Sequence, residues 1–241
     1  MDPMGFEAAV EKLDSTADVW RLLVEFAAGC QVRRICYHHL PPPGAPDAHV
    51  LRLENKGFEA ALLAQYLRAR AQGFAVLAAV AQRSLVPVYL NELERCPSLS
   101  ERERGHLSGY RSAGVMNGLA LPVFGPGGRN GIFGVELEAD TPRLAPEALA
   151  CLRWACQVMH LRYSALLLPT LGEFPNLSSR ELEVLVWVAR GKTNASIGDI
   201  LGISGHTVEA HLRRIYLKLG VYDRVSAALS GLGFGLIIVN A

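Results

Sequence analysis

The sequence predicts two domains of different class: an N-terminal α/β/α sandwich on an antiparallel sheet, and a C-terminal all-α module of four helices that contains a helix-turn-helix. Three observations predict this. Apolar stripes at helical spacing, separated by two short polar turns, run from Leu177 to Leu236. The stretch Leu168 to Asn176 just before them holds two prolines and a glycine, which disfavour continuous helix and mark a short, stiff linker. Ahead of the linker, helical patterns precede and follow short strand-like runs, the layout of helices layered on a sheet. The expected boundaries are 1–167, a linker at 168–176, and 177–241.

In the C-terminal module, Ser178 and Glu181 form a capping box, so a helix starts there. Leu182, Leu185, Val186 and Ala189 supply its buried stripe and Gly191 ends it. A shorter helix follows, capped by Thr193 or Asn194 and running through Ile197, Ile200 and Leu201 to a turn at Gly202. Ser204 can cap a third, in which Val208, Leu212, Ile215 and Leu219 point inward before Gly220 closes it. At about 100° per residue its opposite side carries His206, Ala210, Arg213 and Arg214, flanked by Glu209 and Leu217. Such a face suits a major groove, with early residues at base edges and arginines at guanine or phosphate. Taken alone, it equally suits a small domain whose arginines are merely solvated.

Composition bounds the alternatives. The chain has 241 residues, 50% of them hydrophobic, with a net charge of +1, so there is room for a DNA-binding module and one further domain with a sizeable core. The residues before Pro175 carry 17 basic and 18 acidic side chains and the rest 7 and 5, so net charge decides nothing and only the placement on the third helix does. The sequence lacks an uninterrupted apolar run of membrane-spanning length and a basic-then-apolar leader, so we expect a cytoplasmic protein with no membrane partner. Five cysteines without CxxC spacing, and His38 and His39 read as ordinary strand-end histidines, predict no metal site and no cofactor. No Gly-x-Ser-x-Gly, phosphate loop or recognisable carboxylate pair is present, so we do not expect an enzyme.

In the N-terminal domain, Phe6 to Cys30 is predicted helical, with Val10, Leu13, Trp20, Leu23, Val24 and Phe26 as core residues. Val32 to Leu40 and Ala48 to Leu53 are predicted strands around a proline-rich turn. Gly57 to Val80 is mainly helical with a break near Gly73, and Leu119 to Phe124 and Asn130 to Leu137 form a hairpin. Pro146 starts a helix reaching Leu166 whose apolar residues cover more than one side, as expected if one face packs on the sheet and another meets a second copy, or equally if the helix is fully buried inside one domain.

The C-terminal details go further than spacing. Leu-Ser-Ser-Arg-Glu-Leu-Glu-Val-Leu at 177 to 185, Gly191, Asn194, Ile197, Leu201 to Ser204, Thr207-Val208, His211-Leu212 and Lys218 to Val221 closely resemble the DNA-binding domain of LuxR-type bacterial transcription regulators. The resemblance implies a fourth helix, from about Asp223 to Phe234, that helps to pair two such domains on a palindromic site. It also implies that Thr193 and Asn194, assisted by Lys192, hold phosphates; that Thr207, Glu209, Ala210 and Arg213 contact bases; and that Arg214 contacts the backbone.

Ala113 to Gly131 is similar to the matching segment of the autoinducer-binding domain in LuxR-type quorum-sensing regulators, which extends the resemblance over nearly the whole chain. In that family an acyl-homoserine lactone is held by a tryptophan and a tyrosine four residues apart, an aspartate nine residues after the tyrosine, and a second tryptophan. Aligned on Tyr66, this chain keeps the tyrosine but has Leu62 for the first tryptophan, Ala75 for the aspartate, Leu90 for the second tryptophan with Tyr89 beside it, and Gly134 where many members have a hydroxyl. No Asp or Trp lies between Asn55 and Leu90, so a shifted alignment restores neither. We therefore expect no response to ordinary acyl-homoserine lactones. Two readings stay open: a pocket for a different, more apolar ligand with Tyr37, Tyr66 and Tyr89 as polar handles, or a filled domain that folds and dimerises without ligand. The lack of any evident replacement for the lost polar groups favours the second. A homodimer on DNA is expected ahead of an anti-activator that heterodimerises with another LuxR-type regulator, because the DNA-reading face is intact.

Overall fold

The computed structural model describes residues 2–73, 75–83, 86–172 and 174–238. The chain divides into two compact units, one of residues 1–40, 51–125 and 130–169, the other of 41–50, 126–129 and 170–241.

In the first unit, α1 (Pro3–Val10) and α2 (Thr16–Ala28) lead into β1 (Val32–Leu40) and β2 (Arg52–Lys56). Next come α3 (Ala60–Ala71), α4 (Val76–Arg83), β3 (Val88–Tyr89), α5 (Leu90–Leu93) and α6 (Glu101–Ser112). Strands β4 (Gly118–Val123) and β5 (Asn130–Leu137) and the long α7 (Pro146–Leu167) complete it. The five strands form one antiparallel sheet in the order β2-β1-β5-β4-β3. One core cluster joins Phe6, Val19, Leu23, Tyr37, Leu152 and Met159, so α1, α2 and α7 cover one sheet face. The other joins Phe58, Leu62, Ala81, Leu107 and Ile132, so α3, α4 and α6 cover the second. The expected α/β/α sandwich is what forms.

Three expectations are corrected. The segment 6–30 is two helices, because the polar run Glu11 to Ser15 breaks the apolar stripe and the Ser15 hydroxyl, accepting from the Asp18 amide, starts a new one. The buried face of α2 is Val19, Leu23 and Ala27, a clean i, i+4, i+8 line, and Trp20, Val24 and Phe26 pack half-buried beside it. The second strand is Arg52–Lys56 and not 48–53, since four prolines between 41 and 46 keep the preceding residues off the ladder. The segment 88–112 holds β3, α5 and α6, which apolar periodicity does not reveal because α6 buries just His106 and Leu107. Its capping box, Ser100 with Glu103, was legible.

In the second unit, α8 (Ser179–Ala189), α9 (Asn194–Leu201), α10 (Gly205–Leu219) and α11 (Arg224–Gly233) pack around Val184, Leu185, Ile197, Val208, Leu212, Ile215 and Ala227. Each N-cap is the residue type the backbone amides require: Ser178, Thr193, Ser204 and Asp223. Glu181 closes the α8 box and also receives Lys218 Nζ at 2.7 Å. Burial raises its pKa, but Lys218 and Ser178 outweigh that and hold the carboxyl below its usual range. The turn between α9 and α10 is tight. A Cβ on Gly198 would stand 2.6 Å from the Ile203 carbonyl oxygen. Gly198→Ala is therefore expected to lower the melting temperature of this unit by several degrees; an unchanged melt would show that the backbone yields freely there.

Candidate functional site

Two sites emerge, one in each unit. The first is the outer face of the helix-turn-helix. The Thr193 hydroxyl accepts from the Ser196 amide at 3.2 Å and the Ser204 hydroxyl from the Thr207 amide at 3.0 Å, which fixes where α9 and α10 begin. His206, Thr207, Ala210, Arg213 and Arg214 are exposed on α10, and Glu209 is half-buried beside them. Glu209 Oε1 accepts from Arg213 Nη2 at 2.6 Å, one turn on, so the carboxylate and the guanidinium hold each other. That hydrogen bond, with the charges of Arg213 and His206, keeps the Glu209 carboxyl below its usual range. At the start of α9, Asn194 Oδ1 accepts from Arg224 Nη1 at 3.0 Å, and the same guanidinium reaches the Lys192 carbonyl. With its oxygen engaged, the Asn194 amide has its NH2 left to donate outward. Arg224 was not among the residues expected at this site; its place at the first position of α11, against the α9 cap, is a tertiary contact that no local pattern announces.

The second site is a cavity of about 60 Å³ between the sheet and the α3, α4 and α6 layer. Leu62, Tyr66, Leu90 and Gly134 line it, with Phe58, Leu77, Val115 and Ile132 among the apolar walls. Of the other expected pocket residues, Ala75 is buried in that core cluster without lining the cavity. Tyr37 and Tyr89 belong to the opposite sheet face, because side chains alternate along β1 and β3. The Tyr37 hydroxyl is engaged there by His39 Nδ1 at 3.0 Å and His160 Nδ1 at 2.7 Å, and Arg143 stacks on the Tyr89 ring at 4.3 Å. Neither tyrosine is a handle in this cavity.

The same alternation brings in two residues that spacing alone does not single out. Cys36 and His38 face the cavity with Tyr66 and Tyr110, giving it a polar side. His38 Nδ1 and the Tyr66 hydroxyl are 2.9 Å apart. Cys36 pairs with Gly134 across β1 and β5, and a Cβ on Gly134 would approach the Cys36 sulfur to 2.9 Å, so the thiol occupies the space of the hydroxyl residue common in the family. The premise that nothing replaces the lost polar groups is thus corrected. Among the described residues, however, the lining has no Asp, Glu, Lys, Arg or Trp.

Burial, reinforced by the positive charge of Arg70, pushes the His38 imidazole down to about 4. Between about pH 6.5 and 4 the unfolded histidine binds a proton that the folded one refuses, so stability is present above this window and is lost as pH falls through it. We expect a loss of about 2–3 kcal/mol across the window. Denaturant midpoints at several pH values check this: His38→Gln, which keeps an acceptor for Tyr66, should flatten the slope, and an unchanged slope would contradict the assignment.

Comparison with known proteins places both units. Residues 175–230 match a family described as "Bacterial regulatory proteins, luxR family", and residues 15–163 match one described as "Autoinducer binding domain". The transcriptional activator protein AhyR of Aeromonas hydrophila is 30% identical over 166 residues, 67% of this chain and 64% of AhyR. The transcriptional activator protein SolR of Ralstonia solanacearum is 35% identical over 135 residues, 54% of this chain and 57% of SolR. The matched stretches thus span less than two thirds of these relatives. SdiA in complex with octanoyl-rac-glycerol shares the fold at TM-score 0.68 and 17% identity, covering 97% of this chain and 94% of SdiA. Escherichia coli SdiA in another structure gives TM-score 0.67 and 18% identity, with 98% of each chain covered.

Proposed function

Because the chain belongs to the LuxR family of bacterial regulatory proteins, with an autoinducer-binding domain ahead of its DNA-binding domain, we propose that it is a sequence-specific DNA-binding transcription regulator that does not respond to ordinary acyl-homoserine lactones. The family is one of regulators and not of enzymes. Residues 1–167 act as the sensor and dimerisation domain, 168–176 as the linker and 177–241 as the DNA reader. The observation that carries DNA binding is the exposed row His206, Thr207, Ala210, Arg213 and Arg214 on α10, adjoining the Lys192, Thr193 and Asn194 end of α9. Phosphate contacts from that end of α9 set the position on the duplex, and α10 reads it. An anti-activator would have no use for such a row, which ranks that alternative second.

A homodimer supplies two α10 helices to a palindromic site. On α7, Leu161 is exposed and Trp154 and Val158 are half-buried, an apolar strip suited to a second copy. Among the described residues no helix is long and apolar enough to cross a membrane, and we place the protein in the cytoplasm.

Lactone insensitivity rests on the cavity. A lactone's amide N–H needs an acceptor and its ring carbonyl a donor, and losing two or three such bonds at about 1–3 kcal/mol each removes several orders of magnitude in affinity. The cavity is also smaller than the about 150 Å³ that admits benzene. Titrating the purified protein with hexanoyl- to dodecanoyl-homoserine lactones should give no saturable rise in melting temperature. A saturable rise of several degrees at micromolar lactone would refute this part of the proposal.

A further inference from the structure

The clamp at the start of α9 has a direction. Arg224, the first residue of α11, donates from Nη1 to Asn194 Oδ1 at 3.0 Å and from Nη2 to the Lys192 carbonyl, so one guanidinium fork bridges both sides of the Thr193 cap. An asparagine amide has an acceptor end and a donor end, which a half-turn about its last bond interchanges. A phosphate oxygen here only accepts, so an amide oxygen turned toward it repels and the NH2 end alone can bind. With Oδ1 committed to Arg224, the half-buried Asn194 keeps its NH2 end for another acceptor.

The charge points the same way. A helix N-terminus carries partial positive charge, and a cation beside it is unfavourable unless an anion joins them. Arg224 stands at the start of two helices. Asp223, whose carboxylate accepts from the Val225 and Ser226 amides, offsets the start of α11, whereas α9 has the neutral cap Thr193 and no acidic residue in its first turn. Arg224 thus adds positive charge at the α9 amides that no side chain of that turn offsets, and a phosphate there would supply the missing negative charge.

We propose that Arg224 is the positioning residue of the DNA-phosphate contact, acting through Asn194: it holds the side-chain amide so that the NH2 end is the one presented to a phosphate oxygen. This rests on the reading of Lys192, Thr193 and Asn194 as the phosphate-holding end of α9, and names the residue on another helix that makes that end competent.

Phosphate contacts are blind to sequence, so the test measures binding of the full-length protein to a random-sequence duplex, for the parent, Arg224→Lys, Asn194→Ala and the double variant. Arg224→Lys keeps the positive charge but loses the fork that spans both acceptors. Each single variant should weaken binding about threefold to tenfold. The double variant should be no weaker than the weaker single, because both substitutions remove the same contact. Parental affinity in Arg224→Lys would overturn the inference, as would losses that multiply in the double variant, the pattern of a merely structural arginine; in either case a loss in Asn194→Ala leaves the phosphate reading standing. Parental affinity in both Asn194→Ala and Lys192→Ala would refute that reading and the inference with it. NMR of the parent gives a check that needs no variant: the Asn194 side-chain amide should be as ordered as the α9 backbone in the free protein and should shift when the duplex is added. An amide that averages freely before DNA is added would overturn the proposal, even if Arg224→Lys failed to fold.

Discussion

Ile215→Ala is expected to unfold the second unit while the first remains folded. Ile215 is completely buried where α8, α9 and α11 meet α10, and truncating such a side chain costs about 2–5 kcal/mol in transfer and cavity terms. A core of about ten buried side chains in a helical unit of this size supplies little margin above that loss. The sheet of the first unit draws on separate clusters and shares none of the residues around Ile215. Hydrogen exchange followed by mass spectrometry reads both units at once. Amides of α8 and α10 should lose protection, those of β1 and β5 should keep theirs, and DNA binding should vanish. Loss of protection in β1 and β5 to the same extent would show that the two units unfold as one.

The second large effect concerns recognition. Arg213→Ala should weaken binding to the preferred DNA site by about 1–3 kcal/mol, roughly five- to 150-fold, and leave random DNA much less affected. The side chain is 77% exposed and gives up a single surface ion pair with Glu209, which solvent screens, so stability should hardly change. Lys192→Ala provides the contrast: on the proposed reading it removes a phosphate contact, and it should then weaken all sequences alike and reduce the salt dependence by about one unit of slope. Equal, sequence-blind losses for the two variants would remove Arg213 from the base-reading set.

The second unit was legible because its instructions are local. The Ser178 and Glu181 box, the Ser204 cap and the glycines at 191, 202 and 220 each act within a turn of helix, and the inward stripes follow from period alone. Gly198 and Arg224 were not legible, because one is explained by a backbone on the other side of a turn and the other by a partner on another helix. In the first unit the central strands β1, β4 and β5 were readable as apolar runs, but the edge strand β2, Arg-Leu-Glu-Asn-Lys, has Leu53 as its one apolar residue and gives no alternation to detect. The cavity was half legible. Residues aligned on Tyr66 led to Leu62, Leu90 and Gly134, while the polar side came from Cys36 and His38, two positions apart on β1, and from Tyr110 on the helix missed by periodicity. Tyr37 sits between Cys36 and His38 in sequence, and one step along a strand sends it to the opposite core.

The most direct test of lactone-independent DNA recognition is to select DNA from a random pool with the purified full-length protein, prepared and assayed without lactone, and to repeat the selection with acyl-homoserine lactone added. A palindromic motif should be enriched in the absence of lactone, the same motif with the same affinity should be recovered in its presence, and Arg213→Ala should abolish the enrichment. A motif that appears only when lactone is present would contradict this, as would a protein that enriches no sequence under either condition.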